Sequence, residues 1–203
     1  MTRITALALL AVSALGPLQP ALAQTDREAT SIIRSLAPVS PPLAAPMGPS
    51  VGAPMPRAAP AYRVERPREV IVVERGARLR VVVDASRTRD FAVRFATDSA
   101  EITEVAAGQL AALGTALASP ELAPYRFLVA GHTDARGDFE HNLDLSMRRA
   151  LAVRDFLVAV HGIPADRLLV HGYGPTLLKA PGDPAAGVNR RVEVALVASV
   201  AAR

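Results

Sequence analysis

A chain of 203 residues, half of them hydrophobic, has enough apolar material for one domain of ordinary size plus appendages. Aromatic residues make up only 4% and tryptophan is absent, which excludes base-stacking platforms; 23 Lys+Arg against 19 Asp+Glu, net +4, describe a mixed-charge surface, so no nucleic-acid partner is expected. With no cysteine the sequence excludes disulfides, thiol catalysis, Cys-ligated metals and a lipid-modified N-terminal cysteine.

The chain starts like a secretory leader. Arg3 gives a basic start, Ile4 to Leu15 is a short apolar run, and Ala21-Leu22-Ala23 fits the small-x-small cleavage rule. Residues 1–23 therefore read as a signal peptide cut after Ala23, which places the mature protein beyond the inner membrane, in the periplasm and associated with the outer membrane. The apolar run breaks at Gly16-Pro17, well short of the roughly 20 residues a spanning helix needs, and no later stretch is long enough either. Membrane association is thus open, but no anchor is evident.

Residues 24–61 read as a Pro/Ala-rich arm. After a helix-compatible piece, Arg27 to Leu36, the stretch 37–61 holds eight prolines and two glycines with almost no charge, a composition that favours polyproline II over a core. Such an arm can act as a spacer or dock an envelope protein partner. Residues 62–87 form a β-rich extension in which Glu69 to Val73 and Leu79 to Val83 flank Arg75-Gly76 as a hairpin.

Residues 88–199 carry the regular pattern. Phe91 to Phe95 alternates as a strand. Thr103 then offers an N-cap to a helix with apolar positions Val105, Leu110, Leu113 and Leu117, stopped at Ser119-Pro120. Tyr125 to Gly131 reads as a second strand. A second helix, about Asn142 to Val160, places Leu145, Ala152, Val153, Phe156 and Val160 on one face and ends at His161-Gly162. Arg167 to Gly172 and Arg190 to Val197 supply two more strands. The order β-α-β-α-β-β predicts an α+β fold, a two-layer sandwich of helices on a mixed sheet.

Polar residues gather around the second strand and helix. Gly131-His132-Thr133-Asp134 leaves the strand, Gly137 permits a tight turn, and Asn142, Leu145-Ser146 and Arg148-Arg149-Ala150 follow; Gly172-Tyr173-Gly174 and Asn189-Arg190-Arg191-Val192 come later. In this order and spacing, the set resembles the OmpA-like peptidoglycan-binding domain over about Phe91 to Val197. The resemblance implies non-covalent binding of the peptidoglycan stem peptide through its diaminopimelate, with Asp134 accepting from the ammonium and Arg149 presenting a planar fork to the carboxylate. It also implies supporting contacts from Thr133, Asn142 and Arg190. Helical phase favours Arg149 over Arg148, which points about 100° away and is expected to be solvated. Asn142 is also a candidate N-cap, and alternation makes at least one of Arg190 and Arg191 structural.

Two positions depart from the family pattern: Ala96 follows Phe95 where an acidic residue is usual, with Asp98 two further on, and His141 stands where a tyrosine is common. An enzyme is not expected. The four histidines, His132, His141, His161 and His171, show no metalloprotease spacing, and no nucleophile motif occurs, so no catalytic residue, metal or cofactor is assigned. The alternative reading is an envelope protein-protein interaction module on the same fold.

Overall fold

In a computed structural model, residues 19–38, 63–74 and 76–202 are described, with side chains from residue 24 onward. Most of the expected leader and most of the Pro-rich stretch lie outside these residues. Helix α1 (Gln19–Leu36) is followed by β1 (Pro67–Glu74), β2 (Ala77–Phe91), α2 (Glu104–Ala118), β3 (Phe127–His132), α3 (Phe139–His161), β4 (Leu168–Gly174) and β5 (Arg191–Ala202). The sheet order is β1-β2-β5-β3-β4. β3 and β4 run parallel across the α3 crossover, whereas the β1-β2, β2-β5 and β5-β3 pairings are antiparallel. The α+β architecture of helices on a mixed sheet is as the sequence predicts.

Several boundaries move. The hairpin strand β2 runs unbroken to Phe91, so the first strand of the β-α-β-α-β-β order ends where the alternating stretch 91–95 was expected to begin. Hydrogen bonding to β5 as far as Phe91–Val192 decides this, since alternation alone cannot say which of two neighbouring runs finds a partner. The hairpin is joined to the rest of the sheet through β2 itself.

α1 also departs from the expected unpacked arm. It runs across the expected cleavage point, and Ala29, Ile32 and Leu36 are buried in the main core against α2. A bulge in β2 between Asp84 and Thr88 explains how the helix is held. The bulge turns Arg87 out of register, and its guanidinium donates to the Ala37 carbonyl at the C-terminal end of α1, while Arg89 reaches Ser31 Oγ at 3.2 Å. Buried Asp84 fixes the bulge by accepting from Ser86 N at 3.0 Å, Ser86 Oγ at 2.6 Å and the amides of Glu65 and Arg66 at 3.3 Å each. No helix among the described residues is long and apolar enough to cross a membrane.

The helical face of the sheet forms the larger core: Leu110, Leu113 and Leu117 of α2 and Val153 and Leu157 of α3 pack on Phe127, Val129, Val170, Val192 and Leu196. Thr103 caps α2, accepting from Ala106 N at 3.2 Å, as expected, but Val105 is exposed and Ala106 is the buried residue of that turn. On α3, Val160 faces solvent and Leu157 takes the buried position. The sheet's other face is not solvated. The sheet curls until β1 meets β4, enclosing a second core of Val70, Val72, Val81, Val83, Leu128, Ala130, Leu169, Ala195 and Val197.

Candidate functional site

Close approach of α3 to the ends of β3 and β4 fixes the site. A methyl on Gly131 would lie 2.0 Å from the Ser146 carbonyl oxygen, and one on Gly172 would lie 2.6 Å from Ser146 Oγ, so only glycine lets the helix sit this low. Ser146 is fully buried in the contact, where its hydroxyl donates to Leu143 O at 2.7 Å and accepts from Gly174 N at 2.9 Å. The small residues of the Gly-His-Thr-Asp, Leu-Ser and Gly-Tyr-Gly stretches thus form one packing device. It sets the height of the helix that carries Asn142 and Arg149.

The N-cap of α3 is Asp138, which accepts from His141 N at 2.8 Å; Asn142, expected there, lies one turn further in. The cap falls at Asp138 because Gly137, at φ +85°, turns the chain just before it. Buried Asn142 instead donates from Nδ2 to the Arg136 carbonyl at 2.7 Å, bracing the loop that carries Asp134.

Asp134 is buried and heavily partnered. Its Oδ1 accepts from Arg136 N at 3.1 Å; its Oδ2 accepts from Arg136 Nε at 3.3 Å, Arg136 Nη2 at 3.0 Å and Arg190 Nη1 at 2.6 Å. Burial by itself would raise the carboxyl pKa, but the bonds from Arg136 and Arg190 outweigh it and hold Asp134 below its ordinary value. Thr133 is buried beside it, and its Oγ1 has no hydrogen-bond partner among the described residues.

Arg149 is buried on α3. Its Nε donates to Ser99 O at 2.9 Å, its Nη2 to Ala96 O at 3.3 Å, and the guanidinium lies 5.0 Å from the Phe95 ring centroid. Burial, and then the charges of Arg148 and Arg190, lower its pKa from an ordinary value so high that the group stays protonated. It makes no ion pair with Asp134 among the described residues. Arg148, one residue earlier, is solvent-facing and paired with Asp144 at 2.7 Å, in keeping with the helical phase. Ala96 contributes its carbonyl to Arg149, while Asp98 turns outward at φ +53° to meet His141 Nε2 at 2.7 Å.

Arg190 precedes β5, and Arg191 is its first, buried residue, with Nε donating to Asp90 at 3.1 Å. Asp90 also pairs with Lys179 of the loop before β5. Fully buried Asn189 ties that loop together, accepting from Ala180 N at 2.9 Å and donating to Asp183 O and Pro184 O at 3.0 and 3.2 Å. Pro184 O in turn accepts from Ala135 N at 2.9 Å, joining the two loops that frame Asp134. These roles of Asn189 and Arg136 were not read from the sequence: an asparagine beside two arginines, or an arginine two residues from an aspartate, carries no signal of a loop contact. Arg149, Arg190, Arg191, Arg94, Phe95 and His132 line one cleft of about 410 Å³, and Arg190 connects its wall to Asp134.

The family model described as "OmpA family" matches residues 94–191, spanning Asp134 and every residue that lines the cleft apart from Ala92 and Val93. Residues 94–191, a little under half of the chain, are similar to the OmpA family. Similar relatives include a peptidoglycan-associated lipoprotein of Agrobacterium fabrum, 52% identical over 50 residues that cover 25% of this chain and 28% of the relative. Outer membrane porin F of Pseudomonas aeruginosa is 46% identical over 67 residues, covering 32% of this chain and 19% of the porin. A probable lipoprotein, YiaD, of Escherichia coli is 35% identical over 101 residues, 49% of this chain and 46% of the relative. The chain thus spans less than half the length of each of these relatives. Both strands of the hairpin lie outside the matched residues, yet the hairpin supplies Arg68, which pairs with buried Glu193 of β5.

His132 lies between the candidate site and this buried pair, with Nε2 4.0 Å from Glu193. It is stacked on Tyr173 at 4.9 Å, and burial, reinforced by the charge of Arg191, lowers its pKa to about 3. The folded protein therefore keeps the ring neutral while the unfolded chain takes up a proton below about 6.5. The resulting stability is complete above that pH and is lost as pH falls from about 6.5 toward about 3. Burial lowers the pKa of His161 and His171 with the same sign. Thermal melts are expected to fall between about pH 7 and 5, with His132 contributing about 2 kcal/mol of the loss. His132→Phe, which keeps the stacked ring, flattens that slope; an unchanged slope would show that His132 is not the titrating group.

Proposed function

We propose that this OmpA-like domain binds peptidoglycan non-covalently through the diaminopimelate of the stem peptide, as an envelope protein beyond the inner membrane. The observation that carries this reading is the separation of opposite charges: Arg149 lines the cleft, and Asp134 is joined to the cleft's wall through Arg190. Asp134 and Arg149 are both buried, both held by the two packed loops and α3, and are not neutralised by each other. Two buried groups of opposite sign that leave each other unpaired suit a zwitterion, whose ammonium is taken by the carboxylate and whose carboxylate takes the guanidinium's remaining donors. Thr133 Oγ1, buried without a partner among the described residues, is available for a third bond. Arg190 acts through Asp134 and is best described as a positioning residue; Asn142 supports the loop from behind.

Retention on purified sacculi tests the reading. Wild type should be retained and be released by free diaminopimelate, while Asp134→Ala lowers affinity at least about tenfold, the scale of losing hydrogen bonds to a charged partner. Arg149→Ala also removes the anchors on Ser99 and Ala96, so Arg149→Lys is the better probe: it keeps the charge, loses the fork and should bind weakly without a matching fall in melting temperature. No retention of wild type would favour a protein-protein interaction module instead.

A further inference from the structure

Asp134 is not vacant. Three N–H groups converge on Oδ2, two from Arg136 and one from Arg190, and Arg136 N occupies one side of Oδ1. A carboxylate offers about four acceptor positions, so an incoming ammonium meets a group whose capacity is almost full. Only one position, on Oδ1, stays open, so an ammonium that makes more than one bond to the carboxylate displaces one of the two guanidinium groups.

The surroundings of the two arginines differ. Arg190, 47% exposed at its side chain, sits over Gly187, where a methyl would lie 3.0 Å from its Nη2, and it lines the cleft, flanked in sequence by buried Asn189 and Arg191. The Arg136 side chain is 65% exposed and, among the described residues, its guanidinium hydrogen-bonds to Asp134 alone, so water replaces that contact at little cost. Its backbone behaves differently: the amide donates to Asp134 Oδ1 and the carbonyl accepts from buried Asn142, so the main chain stays in place when the side chain leaves. Resting on the diaminopimelate-binding reading above, we infer that the Arg136 guanidinium is a displaceable plug that occupies the ammonium position on Asp134, and that ligands whose amine makes more than one bond to Asp134 must evict it to bind.

The plug has a consequence that a merely structural arginine lacks. Removing it helps only a ligand that competes for the same carboxylate. Pimelate, with two carboxylates and no amine, does not compete, and loses a nearby positive charge when Arg136 is removed. Calorimetric titration of the full chain with meso-diaminopimelate and with pimelate reads the difference. Arg136→Ala should tighten diaminopimelate binding by about two- to fivefold and leave pimelate binding unchanged or weaker. Arg136→Gln, which retains length without charge, should behave alike. Binding of diaminopimelate by wild type that Arg136→Ala leaves unchanged or weakens overturns the plug while leaving the binding reading intact. Equal tightening toward both ligands also overturns it, because the effect is then not competition for Asp134. Failure of both proteins to bind diaminopimelate overturns the two readings together.

Discussion

Gly131→Ala is expected to destabilise the protein by about 3 kcal/mol or more, lowering the melting temperature by roughly 10 °C. The added methyl would stand 2.0 Å from the Ser146 carbonyl oxygen and 2.8 Å from its carbon, and both are backbone atoms, so no rotamer change relieves the clash. α3 must rise from β3, and Arg149 and Asn142 rise with it, so wall retention should fall along with stability. Gly108→Ala is the matched control. Gly108 lies exposed within α2 with nothing inside 4 Å of the added methyl, and the substitution should stabilise by about 0.5–1 kcal/mol through helix propensity alone. Melts of the two variants that moved in the same direction would contradict the close approach of α3 to the sheet.

Arg68→Ala is expected to cost about 3 kcal/mol, far more than an exposed ion pair. Arg68 reaches from β1 across the curled face to Glu193 on β5, and Glu193 is buried. Burial alone would lower the Arg68 pKa, yet the hydrogen bond to Glu193 and the charge behind it leave it raised, so the pair is well coupled. The guanidinium also lies 5.4 Å from the Tyr173 ring centroid. Without it, buried Glu193 loses its only ion pair with an arginine or lysine among the described residues. The double variant Arg68→Leu/Glu193→Leu should recover most of the loss, since the penalty comes from the orphaned charge and not from absence of the pair. Denaturant melts giving less than about 1 kcal/mol for Arg68→Ala would mean that water reaches Glu193 and that β1 does not close this face.

Much of the site is legible before any coordinates because its members fall in a fixed order along a short stretch. Asp134 and Thr133 leave one strand, and Arg149 lies on the buried side of the next helix, where periodicity places it opposite the solvated Arg148. Asn142 was legible as important but not as what it is, because an N-cap and a loop brace call for the same side chain; the positive φ of Gly137 moves the cap to Asp138. For Arg190, a resemblance could name the residue but not its partner. Its side chain reaches Asp134 across 56 positions of sequence, a contact made by two loops that meet only after folding.

The sequence by itself determined the order of strands and helices from α2 to β5, the caps at Thr103 and Gly162 and the inward placing of Leu145, Arg149 and Val153 on α3. These are local facts, written in periodicities of two and 3.6 and in glycine placement. Tertiary structure alone decided that the strand before α2 ends at Phe91, that α1 joins the core, and that the sheet curls to bury its second face. Each of these depends on which distant surface an apolar stretch finds. The residues of β3 show why: all six are buried, on both faces, and a run buried on both sides has no alternation to reveal what covers it.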